Sequence, residues 1–151
     1  MTADIELVGL GDTEALAATL VHALRPGDVL TLKGSLGVGK TTLVQLMASL
    51  WGLDEGLVRS PTFSLLNVYE LEQYDVIHAD LYRIDDSAEL EGLGLLECLG
   101  APDCLCIIEW PSVAAHWLPS PGLQLELTLQ NGQRRAQMSP ALARIVAEAT
   151  S

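Results

Sequence analysis

The chain has no apolar run approaching the roughly 18 residues that a membrane-spanning helix needs, which excludes an anchor of that kind. It is short of basic residues: Lys and Arg total 8 against 20 Asp and Glu, a formal net charge of -12. A surface this acidic repels phosphodiester backbones at long range and excludes an unaided grip on RNA or DNA. A basic protein partner is electrostatically welcome, and plain solubility accounts for the same charge equally well. Cysteines are few. Cys98, Cys104 and Cys106 match no zinc spacing, and an odd number cannot complete a disulfide framework. Reduced, mostly buried thiols are expected, as in the cytosol. The start, Met1-Thr2-Ala3-Asp4-Ile5-Glu6, lacks the basic and apolar opening of a secretory leader, so a cytoplasmic protein is expected. His22, His78 and His116 are scattered, and each reads as structural. No internal repeat or linker interrupts the chain. Its 151 residues, 49% hydrophobic, suffice for one core and imply a single domain over 1–151.

What the chain does carry begins at Gly34-Ser35-Leu36-Gly37-Val38-Gly39-Lys40-Thr41, which satisfies the G-x-x-x-x-G-K-[ST] pattern of a phosphate-binding P-loop. Glycines let successive amides point into one concavity. The following helix adds its unpaired N–H groups and the positive end of its dipole. Lys40 is expected to reach the β- and γ-phosphates, and the Thr41 hydroxyl to ligate Mg²⁺. The flanks agree. Asp28 to Leu32 reads as a strand leading in, and Thr42 to Leu50 as a helix leading out.

The remaining periodicity fills in an α/β domain. A strand is expected over Ile5 to Val8, then a helix from about Glu14 to Leu24 with Asp12 or Thr13 as N-cap. Phe63 to Leu71 and Tyr74 to Ala79 read as an antiparallel hairpin. A helix weakened by Gly92 and Gly94, and therefore irregular or mobile, is expected from about Ser87 to Leu99. Cys104 to Ile108 is a buried strand, and Trp110-Pro111 opens a loop. Leu123 to Leu129 alternates strictly, Asn131-Gly132 signals a tight turn, and Arg134 to Met138 returns. Ser139 and Pro140 start a final helix. The expected fold is a three-layer P-loop NTPase domain with a mixed parallel and antiparallel central sheet.

Three further segments bear on chemistry. Arg59-Ser60-Pro61-Thr62 sits where nucleotide hydrolases place a γ-phosphate switch. Thr62 is there either a contact to the magnesium shell or γ-phosphate, or part of an ordinary strand-initiating turn. His78-Ala79-Asp80-Leu81-Tyr82-Arg83 ends a strand on an acid, where ligands of open α/β sheets gather. Asp80 holds or orients a water there, or closes a salt bridge with Arg83. Leu105-Cys106-Ile107-Ile108-Glu109 resembles a Walker B strand with glutamate in place of the usual aspartate. Glu109 is the better metal-side candidate, because its strand is more fully apolar. Trp110 either packs beside the nucleotide pocket or, more plainly, is a core residue.

These four motifs, in this order within one short chain, resemble the TsaE (YjeE) family of bacterial ATPases, over about Asp12 to Met138. The resemblance implies a weak ATPase needed for the tRNA modification threonylcarbamoyladenosine. Its partners would be TsaD, which transfers the threonylcarbamoyl group to tRNA, and the TsaD paralogue TsaB. ATP binding and hydrolysis would reset that complex between turnovers, with tRNA contacted only through the partners. By the same resemblance, Lys40 and the loop Ser35, Leu36, Gly37, Val38, Gly39, Thr41 and Thr42 hold ATP. Thr41 and Glu109 serve Mg²⁺, Asp80 and Thr62 lie near the γ-phosphate, Thr13 lies near the adenine, and Arg134 borders the nucleotide. Catalysis would rest on Lys40, Asp80, Glu109 and Thr62. Ser35 stands where many relatives carry aspartate. The chain alone is expected to be a monomer. Rival readings are a small P-loop kinase, which would normally carry an arginine-rich lid, a GTPase, which would need an N-K-x-D-type loop, and a stand-alone nucleotide-dependent binding module.

Overall fold

Strands β1 (Ala3–Leu7), β2 (Val29–Lys33), β3 (Leu66–Glu70), β4 (Asp75–Asp80), β5 (Cys104–Glu109), β6 (Leu123–Gln130) and β7 (Gln133–Met138) form one sheet. Helices α1 (Leu10–Ala23), α2 (Lys40–Leu50), α3 (Leu95–Cys98) and α4 (Pro140–Thr150) connect them or follow, with 3-10 segments at Ser87–Leu93 and Pro111–Trp117. The computed structural model describes residues 3–35, 37–53 and 66–150; Leu36, Arg59, Ser60, Pro61, Thr62 and Phe63 lie outside the described residues.

The strand order is β1-β7-β6-β2-β5-β4-β3. β2 lies parallel to β5 and β6, and β4 parallel to β5. The β3–β4, β6–β7 and β1–β7 pairs are antiparallel. The sheet is thus mixed, with a parallel centre and antiparallel flanks, as the sequence pattern implied.

Alternation along the strands sorts side chains to two faces. Leu30 and Leu32 of β2 and Leu105 and Ile107 of β5 pack under α1, α2 and α4. Val29, Cys104, Cys106 and Ile108 pack on the other face with Leu90, Leu95 and Ala114. Every residue of β5 is buried, because helical or 3-10 layers cover both sides. The result is the three-layer α/β architecture of a P-loop NTPase.

Local chemistry explains the turns. Asn131 and Gly132 both take positive φ, 53° and 76°, which two-residue hairpin turns demand. The Ser139 hydroxyl accepts from Leu142 N–H at 3.4 Å and donates to Gly122 carbonyl oxygen at 2.8 Å, capping α4 and tying it to the start of β6.

Three expectations are corrected. α1 starts at Leu10 with Gly9 as an extended N-cap, so neither Asp12 nor Thr13 is the cap. Asp12 lies in the first turn and reaches back to accept from Val8 N–H at 2.8 Å, the way a third-position acid satisfies an amide at a helix entrance. Between Ser87 and Leu99 the chain makes a 3-10 segment, then Gly94 at φ 77°, then the short α3. The glycine breaks the helix that periodicity suggested. The segment after Trp110 is a 3-10 turn with Pro111 at its first position, where a missing N–H is harmless. Among the described residues no helix is long and apolar enough to cross a membrane.

Candidate functional site

β2 ends beside its parallel partners β5 and β6, and the chain turns at Gly34 into α2. Gly34 has φ 149°, and a Cβ there would fall 2.6 Å from Leu127 carbonyl oxygen and 2.7 Å from Val38 Cγ1. No side chain fits in that gap. Gly37 and Gly39 take φ 78° and 113°, left-handed conformations that strain any other residue. Gly39 is the N-cap of α2, and its carbonyl accepts from Leu43 N–H at 3.0 Å. Val38 is buried in the core, whereas Ser35 and Thr42 are exposed and Thr41 is half-buried at the first turn of α2.

Lys40 folds back over this loop. Its Nζ donates to Gly34 carbonyl oxygen at 2.6 Å and sits 3.7 Å from the centroid of the Trp110 ring. That ring in turn lies 4.8 Å from the Tyr82 ring. Trp110 is therefore not simply a core residue. Its backbone is left-handed, φ 55°, and its half-buried ring supports the P-loop ammonium as a cation–π partner. Lys40 is only 5% exposed. Burial lowers its pKa, and the nearby charges of Glu109 and Asp80 oppose that shift.

Strand parity explains the carboxylates. Asp80 ends β4, Glu109 ends β5, and the two are register partners. Leu32 of β2 is the partner of Glu109 on the other side. Successive residues on a strand point to opposite faces. Glu109 thus shares the α2 face with Leu105 and Ile107, and Asp80 shares it with Val76. The Asp80 carboxylate accepts from Tyr82 N–H at 3.0 Å. Both carboxylates are buried at the carboxyl end of the parallel strands, with Asp80 at 5% and Glu109 at 3% exposure. That is where open α/β sheets bind ligands.

His78 falls on the same face. Its Nε2 meets Glu109 Oε2 at 2.6 Å, with both side chains buried. Its Nδ1 lies 3.4 Å from the Tyr69 hydroxyl, which lies 3.4 Å from Asn67 Nδ2. Sequence reasoning left His78 without a role and passed over Tyr69 and Asn67. The signal was present, because His78 and Asp80 are two residues apart on a strand and must share a face.

Arg134, on β7, extends its guanidinium over the loop. Its Nη1 would lie 3.6 Å from a Cβ placed on Gly39, and its buried Nε has no hydrogen-bond partner among the described residues. Thr13 is buried within α1. Leu36 and Thr62 are not among the described residues.

This donor set fits a polyphosphate with a divalent cation. It offers a cradle that only glycine permits, a helix N-terminus, an ammonium, an orphaned guanidinium nitrogen and two adjoining carboxylates. Among the described residues no cluster of three or more His, Cys, Asp or Glu forms a metal cage.

Comparisons with known proteins identify the family and the fold. The family model for the threonylcarbamoyl adenosine biosynthesis protein TsaE matches residues 9–137. A tRNA threonylcarbamoyladenosine biosynthesis protein TsaE of Rickettsia bellii is 33% identical over 124 residues, covering 82% of this chain and 85% of that protein. The protein of the same name in Bacillus subtilis is 38% identical over 114 residues, covering 76% of this chain and 70% of its own length. The crystal structure of Bacillus subtilis YdiB superimposes with a TM-score of 0.79 at 26% identity, covering 99% of this chain and 95% of that one.

Proposed function

Because this chain belongs to the TsaE family of threonylcarbamoyl adenosine biosynthesis proteins, we propose that it binds and slowly hydrolyses Mg-ATP, in service of a complex with TsaD and TsaB that modifies tRNA. The observation that carries the reading is the meeting of Lys40, Asp80 and Glu109, all buried, at the mouth of the loop.

The residues divide the work. The amides from Ser35 to Thr42 and the Lys40 ammonium bind the phosphates. Thr41 and Glu109 hold Mg²⁺, which offsets charge on the phosphates when bound. Asp80 orients the attacking water. Arg134 lends positive charge at the Gly39 side, and Thr13 borders the base. To engage phosphate, the Lys40 ammonium leaves the Gly34 carbonyl and the Trp110 ring, which hold it ready in a low-dielectric site. The acidic composition supports leaving contact with tRNA to the partners.

Calorimetric titration of the chain with Mg-ATP, followed by phosphate-release assays with TsaD and TsaB added, tests this reading. Saturable binding and partner-dependent turnover are expected. Absence of binding with and without the partners would overturn it.

A further inference from the structure

A polar row crosses the outer half of the sheet on the α2 face. Asn67 and Tyr69 lie two residues apart on β3, Asn67 pairs in register with His78 of β4, and His78 reaches Glu109 of β5. Tyr69, His78 and Glu109 are buried and Asn67 half-buried, and a row of this kind is costly unless its buried members find partners. We infer that His78 is a positioning residue for Glu109, aimed by Tyr69 and Asn67 so that its Nε2–H holds the Glu109 carboxylate in one orientation at the P-loop mouth. The inference rests on the reading of Glu109 as the magnesium-side carboxylate.

Donor and acceptor capacities fix the direction of the row. Asn67 Nδ2 can only donate, so the Tyr69 oxygen accepts from it at 3.4 Å. The Glu109 carboxylate can only accept, so His78 Nε2 donates to it, and Nδ1 of the neutral ring accepts from the Tyr69 hydroxyl 3.4 Å away. Burial raises the Tyr69 pKa, so the hydroxyl keeps that proton at neutral pH. With Nδ1 accepting, the ring proton sits on Nε2, facing Glu109 Oε2 at 2.6 Å. That short contact pins one oxygen and fixes the carboxylate plane. Groups that orient a metal ligand in this way are commonly worth about 10- to 100-fold in metal affinity or activity.

A merely structural His78–Glu109 pair would affect folding alone. The test is a double-mutant cycle on the full chain, reading the free Mg²⁺ concentration that half-saturates the enhancement of ATP binding. H78L should raise that concentration about 10- to 100-fold and leave ATP affinity in EDTA unchanged. H78Q, whose amide nitrogen replaces the Nε2 donor, should restore most of the loss. In an E109Q background H78L should add nothing, since its effect runs through the carboxylate. An unshifted Mg²⁺ requirement in H78L, or an equal shift in the E109Q background, would overturn the inference. Should H78L not fold, Y69F, which removes one hydroxyl, decides. A shift of about 2- to 10-fold in the same direction supports the row, and no shift overturns it. If the unmutated chain shows no Mg²⁺-dependent ATP binding, the nucleotide reading itself fails, a distinct result.

Discussion

The Lys40 ammonium rests 3.7 Å from the centroid of the Trp110 ring while donating to Gly34 carbonyl oxygen. The lysine that the loop chemistry needs is thus packed as well as charged. Function and stability pull in opposite directions at this residue.

Lys40→Met exposes that opposition. The ammonium is buried at a desolvation cost that its neighbours only partly offset. A methionine of similar length should leave thermal stability equal or higher. Nucleotide affinity should fall by about 2–5 kcal/mol, the range for deleting one side of a buried charge pair. Calorimetry and a melting curve on the same sample check both halves. Unchanged affinity would remove Lys40 from the site. Trp110 emission should change when Mg-ATP draws the ammonium away, and Lys40→Met should abolish that change.

Glu109 separates two roles. Glu109→Gln keeps an acceptor for His78 Nε2–H and should preserve the fold while impairing Mg²⁺-dependent hydrolysis. Glu109→Ala also strands the buried imidazole and should cost about 1–3 kcal/mol of stability besides. Urea denaturation of both variants, beside phosphate-release assays across a magnesium series, checks this. Equal stabilities would mean the pair contributes nothing to folding.

Gly34→Ala should be destabilising, since its Cβ would fall 2.6 Å from Leu127 carbonyl oxygen and 2.7 Å from Val38 Cγ1. The first is strand backbone and cannot yield as a flexible side chain would. Overpacking of this kind costs about 1–3 kcal/mol. A denaturation midpoint equal to that of the unmutated chain would contradict the close packing of loop against β6.

Alkaline pH should weaken the fold through Cys106. Burial raises its thiol from 9.0 to about 12, with Cys98 and Cys104 adding to the shift. The folded pKa is above the unfolded one, so this contribution is complete below pH 9.0 and is lost as pH rises towards about 12. Denaturation midpoints measured at about pH 8 and about pH 10 should fall across that interval, and less so in Cys106→Ala. Parallel slopes in the two proteins would refute the assignment.

Much of this was legible in one dimension. The P-loop pattern announces itself because only glycine tolerates the φ values at 37 and 39, and the Lys-Thr pair follows at the spacing that the pattern requires. Asn131-Gly132 dictates its turn for a similar steric reason. Apolar alternation placed Leu123 to Leu129 on a strand, and the uninterrupted run before Glu109 marked a strand buried on both faces. These features are local, and local sterics and periodicity are what a sequence encodes directly.

Other features exist only after the sheet is assembled. The cap of α1 went to Gly9 because Asp12 found Val8 N–H, a competition between neighbours that residue preference does not resolve. That Trp110 underlies Lys40, that Arg134 reaches Gly39 and that His78 grips Glu109 all follow from strand order and register. Those are set by long-range pairing and core packing, which bring together residues far apart in the chain.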